Sequence, residues 1–336
     1  MNPILLPSNR PAERFYRGGA RISEFRGEAV AAPREPEDWI GSTTTVNGER
    51  ALGLTMLPDG RVLRDAIERD PVAWLGDEHV ARWGADTRLL VKLLDAGQRL
   101  PVHAHPHDDF AAAHLGRAHG KAEAWYTLEG GTVHIGLRQD VEAADLAALV
   151  ERQDATTLLG LLHEVEVATG DVVWVPPGEL HAIGAGVLLL ELQQPEDLSI
   201  LLEWGDFAID GAAVGHLGLG FDLALAAVTR TARSAADLAA LISAAPRVRL
   251  RLPRGCRRVL PTRTGSRARS RDRRSGILDR DRERRRRRDR RAATSQRLDP
   301  ARAPRGRSAR RDRHGRAARG APAGALKPES TRILPG

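Results

Sequence analysis

A break in composition near residue 246 limits where this chain can build a core. From Arg247 to Gly336 there is no Phe, Tyr or Trp, and the run Asp281–Arg291 is wholly charged. Its apolar residues follow neither a period of 2 nor one of 3.6. Such a segment cannot bury enough surface to offset the entropy of ordering it. The fold is therefore expected within residues 1–246, and 247–336 is expected to be a disordered Arg-rich tail. Arg, Ala, Pro, Gly and Ser dominate that tail. This is also the composition that GC-rich DNA gives when read out of frame, so a frame-shift product is a second reading of it.

Charge divides at the same place. Residues 1–246 hold 20 Lys+Arg against 36 Asp+Glu, a net of −16; residues 247–336 hold 32 against 8, a net of +24. The overall +8 thus conceals an acidic body. An acidic body disfavours nucleic acid as a partner, which only the arginines of the tail would attract through phosphate counterion release. The single cysteine, Cys256, excludes an internal disulfide and any Cys-based zinc or iron–sulfur site. Any metal must then be held by His and carboxylate, and ten of the eleven His lie in the body. The start, MNPILLPSNR, has too short an apolar run for a signal peptide, and no segment approaches the ~18 apolar residues of a membrane span. A cytoplasmic protein without membrane contact is expected. The sequence sets no oligomeric state.

Within the body the pattern is mainly β with helical insertions. Thr87–Asp95, Lys121–Leu128, Thr132–Leu137, Asp171–Val175 and Val187–Gln193 read as strands, with Leu100–His105 extended. Glu129-Gly130-Gly131 is a hairpin signal. Between the hairpin and the later strands, Leu146, Leu149, Val150, Leu158, Leu159 and Leu162 fall at helical spacing, which predicts a helical insertion over about 141–162. Shorter helices are expected at Leu63–Glu68, Phe221–Val228 and Ala235–Ile242.

The chemistry concentrates in two stretches. In Gly97-Gln-Arg-Leu-Pro-Val-His103-Ala-His105 the two histidines are at i and i+2, so a strand presents both on one face. Glu123 follows on the next predicted strand. Gly170-Asp-Val-Val-Trp-Val-Pro176-Pro-Gly178-Glu-Leu-His181 then places a third histidine at a turn after a strand. Singly, each of these is unremarkable on a polar strand face; four metal-ligating residue types together are not. Lys121, two residues before Glu123, is expected to share its face. Trp125 falls on the same alternation and reads as core. His107 reads as exposed, and His114, His119, His134 and His163 match no ligand position.

The pattern G-x5-H-x-H, E-x6-G, then G-x5-P-x-G-x2-H resembles the two cupin motifs. The words LLVKLLDAGQRLPVHAHP, GKAEAWYTLEGG and GDVVWVPPGELHAIGAGVLLLELQQPEDLS resemble one cupin branch, the type I phosphomannose isomerases, over about Phe15–Asp210. Two features depart from the general cupin pattern. The gap between His105 and Glu123 is 17 residues, and Ala185 stands where an Asn often ends the second motif.

The resemblance implies a cupin jelly-roll barrel and a Zn2+ site of His103, His105, Glu123 and His181. The family usually has Gln at the His103 position. Three His and one Glu also suit iron or manganese. It further implies a catalytic Lys121, with its pKa lowered by burial and a nearby cation, and a second active carboxylate at Glu191. The implied reaction is metal-dependent interconversion of mannose 6-phosphate and fructose 6-phosphate through an enediol.

The family carries an Arg about ten residues after Glu191, where this chain has Ile200-Leu201. Arg17 or Arg21, beside Gly18-Gly19, is expected to replace that charge on the sugar phosphate, and Trp39 to lie near the substrate. Two other functions stay open: a non-catalytic sugar-binding cupin, and a cupin metalloenzyme of different chemistry such as an iron oxygenase. Many relatives also continue into a further β-domain where this chain has its tail.

Overall fold

The computed structural model describes residues 3–244. The tail expected to be disordered lies outside the described residues. Among them run eleven strands: β1 (Glu37–Ile40), β2 (Leu90–Asp95), β3 (His103–Ala104), β4 (Glu123–Glu129), β5 (Gly131–Leu137), β6 (Leu162–Val167), β7 (Asp171–Val175), β8 (His181–Ile183), β9 (Leu188–Gln193), β10 (Ile200–Leu201) and β11 (Ile242–Ala244). They form two antiparallel sheets, ordered β1-β2-β9-β4-β7-β11 and β10-β3-β8-β5-β6. With the attached helices this is an α+β, cupin-like fold.

Strand alternation decides what each face carries. Along β4, Glu123, Trp125 and Thr127 are buried while Ala124, Tyr126 and Leu128 are less so. Cross-strand register lines up Lys92 of β2, Glu191 of β9 and Trp125 of β4 in one row. The next row is Leu94, Leu189 and Thr127. Toward that face the second sheet sends Val133, Ile135 and Ile183, which join Leu94, Trp125, Val173, Val175 and Leu189 in one buried cluster. Each fully buried aliphatic side chain there is worth about 1.5–3 kcal/mol. The inner layer thus grades from apolar residues into charged ones within the same strands.

The outer face of the second sheet is covered by helices. Leu146, Leu149 and Val150 of Ala143–Glu151 and Leu158 of Ala155–Gly160 pack with Val102, Ala104, Leu180 and Ala182. The helical insertion is therefore present, but it ends earlier than its spacing suggests. Leu162 opens β6, whose sequence LHEVEV pairs residue by residue with β5. Leu162 fits both periods, and pairing with β5 decides the outcome. Val172, Trp174, Ala124 and Leu192 sit on the opposite, less covered face of the first sheet, where Trp174 and Leu192 are exposed.

Two glycines hold close passages. A Cβ on Gly97 would lie 2.3 Å from the carbonyl carbon of Gly18, so the turn after β2 fits against the N-terminal segment only without a side chain. Gly178 has φ +81° and abuts Thr229 and Ala227; it makes the turn that delivers β8. No helix among the described residues is long and apolar enough to cross a membrane.

Arg21 belongs to this architecture. Its Nε donates to Asp95 Oδ1 at 2.9 Å, its backbone N–H donates to Asp95 Oδ2 at 2.9 Å, and its guanidinium also reaches the Gly186 and Val187 carbonyls. Asp95 is wholly buried at the end of β2. Arg21→Ala would leave that carboxylate without its cation, and is expected to cost about 3 kcal/mol in denaturant unfolding while leaving metal affinity unchanged.

Candidate metal centre

Three imidazoles meet between the two sheets. His103 of β3 and His181 of β8 are directly paired in register, and His105 lies two residues beyond His103. Ring centroids are 4.0 Å apart for His103–His181, 4.9 Å for His105–His181 and 5.0 Å for His103–His105. One nitrogen of each lies within 4.8 Å of the others, and all three residues are buried.

Their tautomers follow from their other nitrogens. His103 Nδ1 is 2.8 Å from the Pro101 carbonyl, His105 Nδ1 2.7 Å from that of Leu198, and His181 Nδ1 2.9 Å from that of Glu179. A carbonyl only accepts, so each Nδ1 carries the hydrogen. In the neutral ring Nε2 is then the nitrogen with the free lone pair. Burial holds His103 well below its ordinary pKa, helped by the neighbouring His181 and His105. Burial and the Lys121 ammonium hold His105 down to about 3. Both rings are neutral at physiological pH, the state a metal requires.

Glu123, at the start of β4, supplies the carboxylate. Its Oε2 is 3.2 Å from His105 Nε2 and its Oε1 is 3.3 Å from His181 Nε2. Trp125 Nε1 donates to Oε1 at 3.0 Å and fixes the group. Burial pushes its carboxyl up, but the Lys121 ammonium and the contacts with His105 and His181 hold it well below its usual range. Glu123 Oε2 and His181 Nε2 are buried without a hydrogen-bond partner. These two orphaned atoms, converging with the Nε2 atoms of His103 and His105, fit a divalent cation.

Lys121 precedes β4 rather than lying on it. Its backbone N–H donates to the Pro106 carbonyl at 3.0 Å, and the ammonium still reaches the centre. Nζ is 2.9 Å from Glu123 Oε2, 3.0 Å from His105 Nε2 and 3.8 Å from Glu191 Oε1. The lowering of the Lys121 pKa expected above rests on the charge of a bound cation; the protein groups alone act the other way. Burial pushes it down, but Glu123 and Glu191 outweigh burial and raise it.

Glu191 is 97% shielded, and its Oε1 has no hydrogen-bond partner. Burial and the nearby Glu123 charge push its carboxyl up to about 7, against the pull of Lys92 and Lys121. Lys92 is a site neighbour that sequence reasoning passed over. Its Nζ is 3.6 Å from Glu191, 3.9 Å from Glu37 and 4.8 Å from the centre of the Trp39 ring. The available signal was a lone lysine at an inward position between Leu90 and Leu94.

None of the three expected substrate contacts, Arg17, Arg21 and Trp39, lines the cavity beside Lys121 and Glu191. Trp39 is wholly buried behind Glu37, to which its Nε1 donates at 2.6 Å. Arg21 is committed to Asp95. Arg17 is exposed, and only its backbone is engaged, with Gln98. The arginine that reaches the site is Arg14, which pairs with Asp197 through both terminal nitrogens. Arg14, Phe15, Asp197 and Ser199 border both the small cavity beside Lys121, Glu123 and Glu191 and a larger outer cleft of about 300 Å³. Leu201, at the position where the resemblance expects an Arg, lines that outer cleft.

Two facing antiparallel sheets with this three-histidine cluster between them define a cupin-like protein with a candidate metal centre. The chain is 32% identical over 197 residues to a probable mannose-6-phosphate isomerase, GmuF, of Bacillus subtilis (strain 168), covering 55% of this chain and 56% of that protein. It is 37% identical over 120 residues to the mannose-6-phosphate isomerase ManA of the same organism, 34% of this chain and 36% of that one. The crystal structure of a mannose 6-phosphate isomerase from Bacillus subtilis superposes with a TM-score of 0.55 at 25% identity, covering 68% of this chain and 69% of that one. No family model matches. The chain spans about half the length, or less, of these two curated relatives. In fold and in sequence the chain is thus similar to these mannose-6-phosphate isomerases.

Glu191 offers a test of this electrostatic arrangement in the metal-free protein. Its folded pKa of about 7 exceeds the ordinary 4.5, so between those values the native state holds more protons than the unfolded chain. Its ionisation therefore costs stability as pH rises from 4.5 to 7. In denaturant titrations with chelator, Glu191→Gln is expected to gain on the parent protein across that window by about 2–3 kcal/mol and to hold the gain above it.

Proposed function

We propose that the protein is a metal-dependent aldose–ketose isomerase that interconverts mannose 6-phosphate and fructose 6-phosphate through an enediol. The observation that carries this reading is the lysine–carboxylate pair, Lys121 and Glu191, set beside the cluster of three imidazoles. A simple metal store needs only the ligands. The similarity to isomerases named for this substrate supports the choice of sugar.

His103, His105, His181 and Glu123 would hold the ion, and Zn2+ is the metal we favour, with iron or manganese fitting the same donors. Such an ion supplies Lewis acidity that stabilises negative charge on substrate oxygens. Moving the substrate's carbonyl from C1 to C2 requires a proton to leave C2 and return at C1. Lys121 and Glu191 are 3.8 Å apart, and both border the cavity beside Glu123. Glu191 is balanced near neutrality and can take up or release a proton there, as a general base requires. Lys121 holds a positive charge against that carboxylate and can return a proton to an oxygen. Trp125 and Glu37 keep these groups aligned: the first through Glu123, the second through Lys92. Burial of the whole cluster excludes bulk water.

The full chain, loaded with zinc, is expected to convert mannose 6-phosphate to fructose 6-phosphate, and chelator is expected to stop it. Lys121→Ala is expected to lower kcat by about 10²–10⁴-fold. Metal-loaded, folded protein with no conversion would overturn the reading and favour a non-catalytic sugar-binding cupin. Oxygen consumption by the iron form would favour oxygenase chemistry.

A further inference from the structure

We propose that Arg14 is the specificity-determining residue that makes the outer cleft prefer a phosphorylated sugar to a neutral one; its ligand class rests on the isomerase reading above. Among the described residues lining that cleft, Arg14 is the only Lys, Arg or His. The other charged residues there are Glu13 and Asp197, while Leu201, Ile209 and Val214 supply apolar wall. Arg14 also borders the cavity beside Lys121 and Glu191. One guanidinium therefore faces both the reacting end of a bound sugar and the space into which its far end would extend.

The guanidinium is held in advance. Arg14 is 9% exposed. Nη1 donates to Asp197 Oδ2 at 3.1 Å and Nη2 to Asp197 Oδ1 at 3.2 Å. Nε is 3.4 Å from Glu37 Oε1, yet has no hydrogen-bond partner. The rings of Phe15 and Trp39 lie 5.8 and 5.7 Å from its central carbon. A guanidinium has five N–H donors, and the fork to Asp197 uses two. Nε is buried against Glu37, so the second N–H of each terminal nitrogen is what remains for an anion. Charge-assisted bonds to a phosphate are about twice as strong as those to a neutral hydroxyl.

Removal of Arg14 would leave Glu13 and Asp197 as the only charges lining the cleft among the described residues. A wall of that kind repels a dianion and tolerates a neutral sugar. Neither Arg17 nor Arg21 compensates, since neither lines the cleft.

The test is calorimetric titration of the metal-loaded full chain with two non-isomerisable ligands, glucitol 6-phosphate and glucitol. The proteins are the parent, Arg14→Lys and the charge-balanced double variant R14Q/D197N. The parent is expected to bind the phosphate at least about tenfold more tightly than glucitol, a modest free-energy difference. R14Q/D197N is expected to lose that preference, with glucitol affinity changed less than about threefold, and Arg14→Lys to fall between. A folded R14Q/D197N that keeps the parent's preference overturns the assignment, as does a parent with none. If the double variant does not fold, Arg14→Lys decides: a reduced preference supports the assignment and an unchanged one overturns it. A parent that discriminates between the ligands but converts no mannose 6-phosphate overturns the isomerase reading and leaves the Arg14 assignment standing.

Discussion

Three backbone carbonyls determine what the centre of this protein can be. Pro101, Leu198 and Glu179 each take the hydrogen of one imidazole, and so turn three Nε2 lone pairs toward one point. Where no donor meets the nitrogen, as at His181, the arrangement is costly, because a buried acceptor without a donor loses its hydration and gains nothing. The surrounding fold accounts for how it persists. His103 and His181 are locked opposite one another by strand register, and Gly178 makes the turn that brings His181 to its place. A cation at the centre would satisfy all three nitrogens and Glu123 together.

The charged side chains around the centre form a connected set. Arg14, Glu37, Lys92, Glu191, Lys121 and Glu123 are all buried, and each lies near an opposite charge. Glu37, Lys92, Glu191 and Glu123 sit on the same strands that build the apolar core, while Arg14 and Lys121 reach them from the segments before β1 and β4. Two jobs therefore share one sheet: Leu94 and Leu189 make core, and Lys92 and Glu191 make site. Glu191 is held in the β2–β9–β4 ladder, paired with Lys92 on one side and Trp125 on the other. The outer cleft, by contrast, is built from the N-terminal segment and the residues after β9, and there Arg14 links the two.

Much of this is legible in the sequence, for definite reasons. The H-x-H pair, Glu123 and His181 can be found because strand periodicity and short motifs encode them locally. The hairpin at Gly130-Gly131 and β7, with its bounds, are legible for the same reason. Pairings between distant segments are not. Arg14 meets Asp197 across 183 positions, and nothing near Arg14 announces it. Arg21 was attractive as a ligand beside two glycines, yet Asp95 claims it. Trp39 resembles a substrate contact by its sequence neighbourhood, but its indole is spent on Glu37. β1, with the sequence EDWI, carries two acids and gives no strand alternation of its own; its pairing with β2 defines it. β6 was hidden because Leu162 satisfies the helical period of the residues before it.

The central claim is that the three Nε2 atoms and Glu123 form a single divalent metal centre. The most direct measurement is anomalous diffraction from crystals of the zinc-loaded full chain. The account predicts one site, with Nε2 of His103, His105 and His181 and an oxygen of Glu123 at about 2.0–2.2 Å. Zinc bound elsewhere, or ligation through Nδ1 with the carbonyl contacts broken, would contradict it.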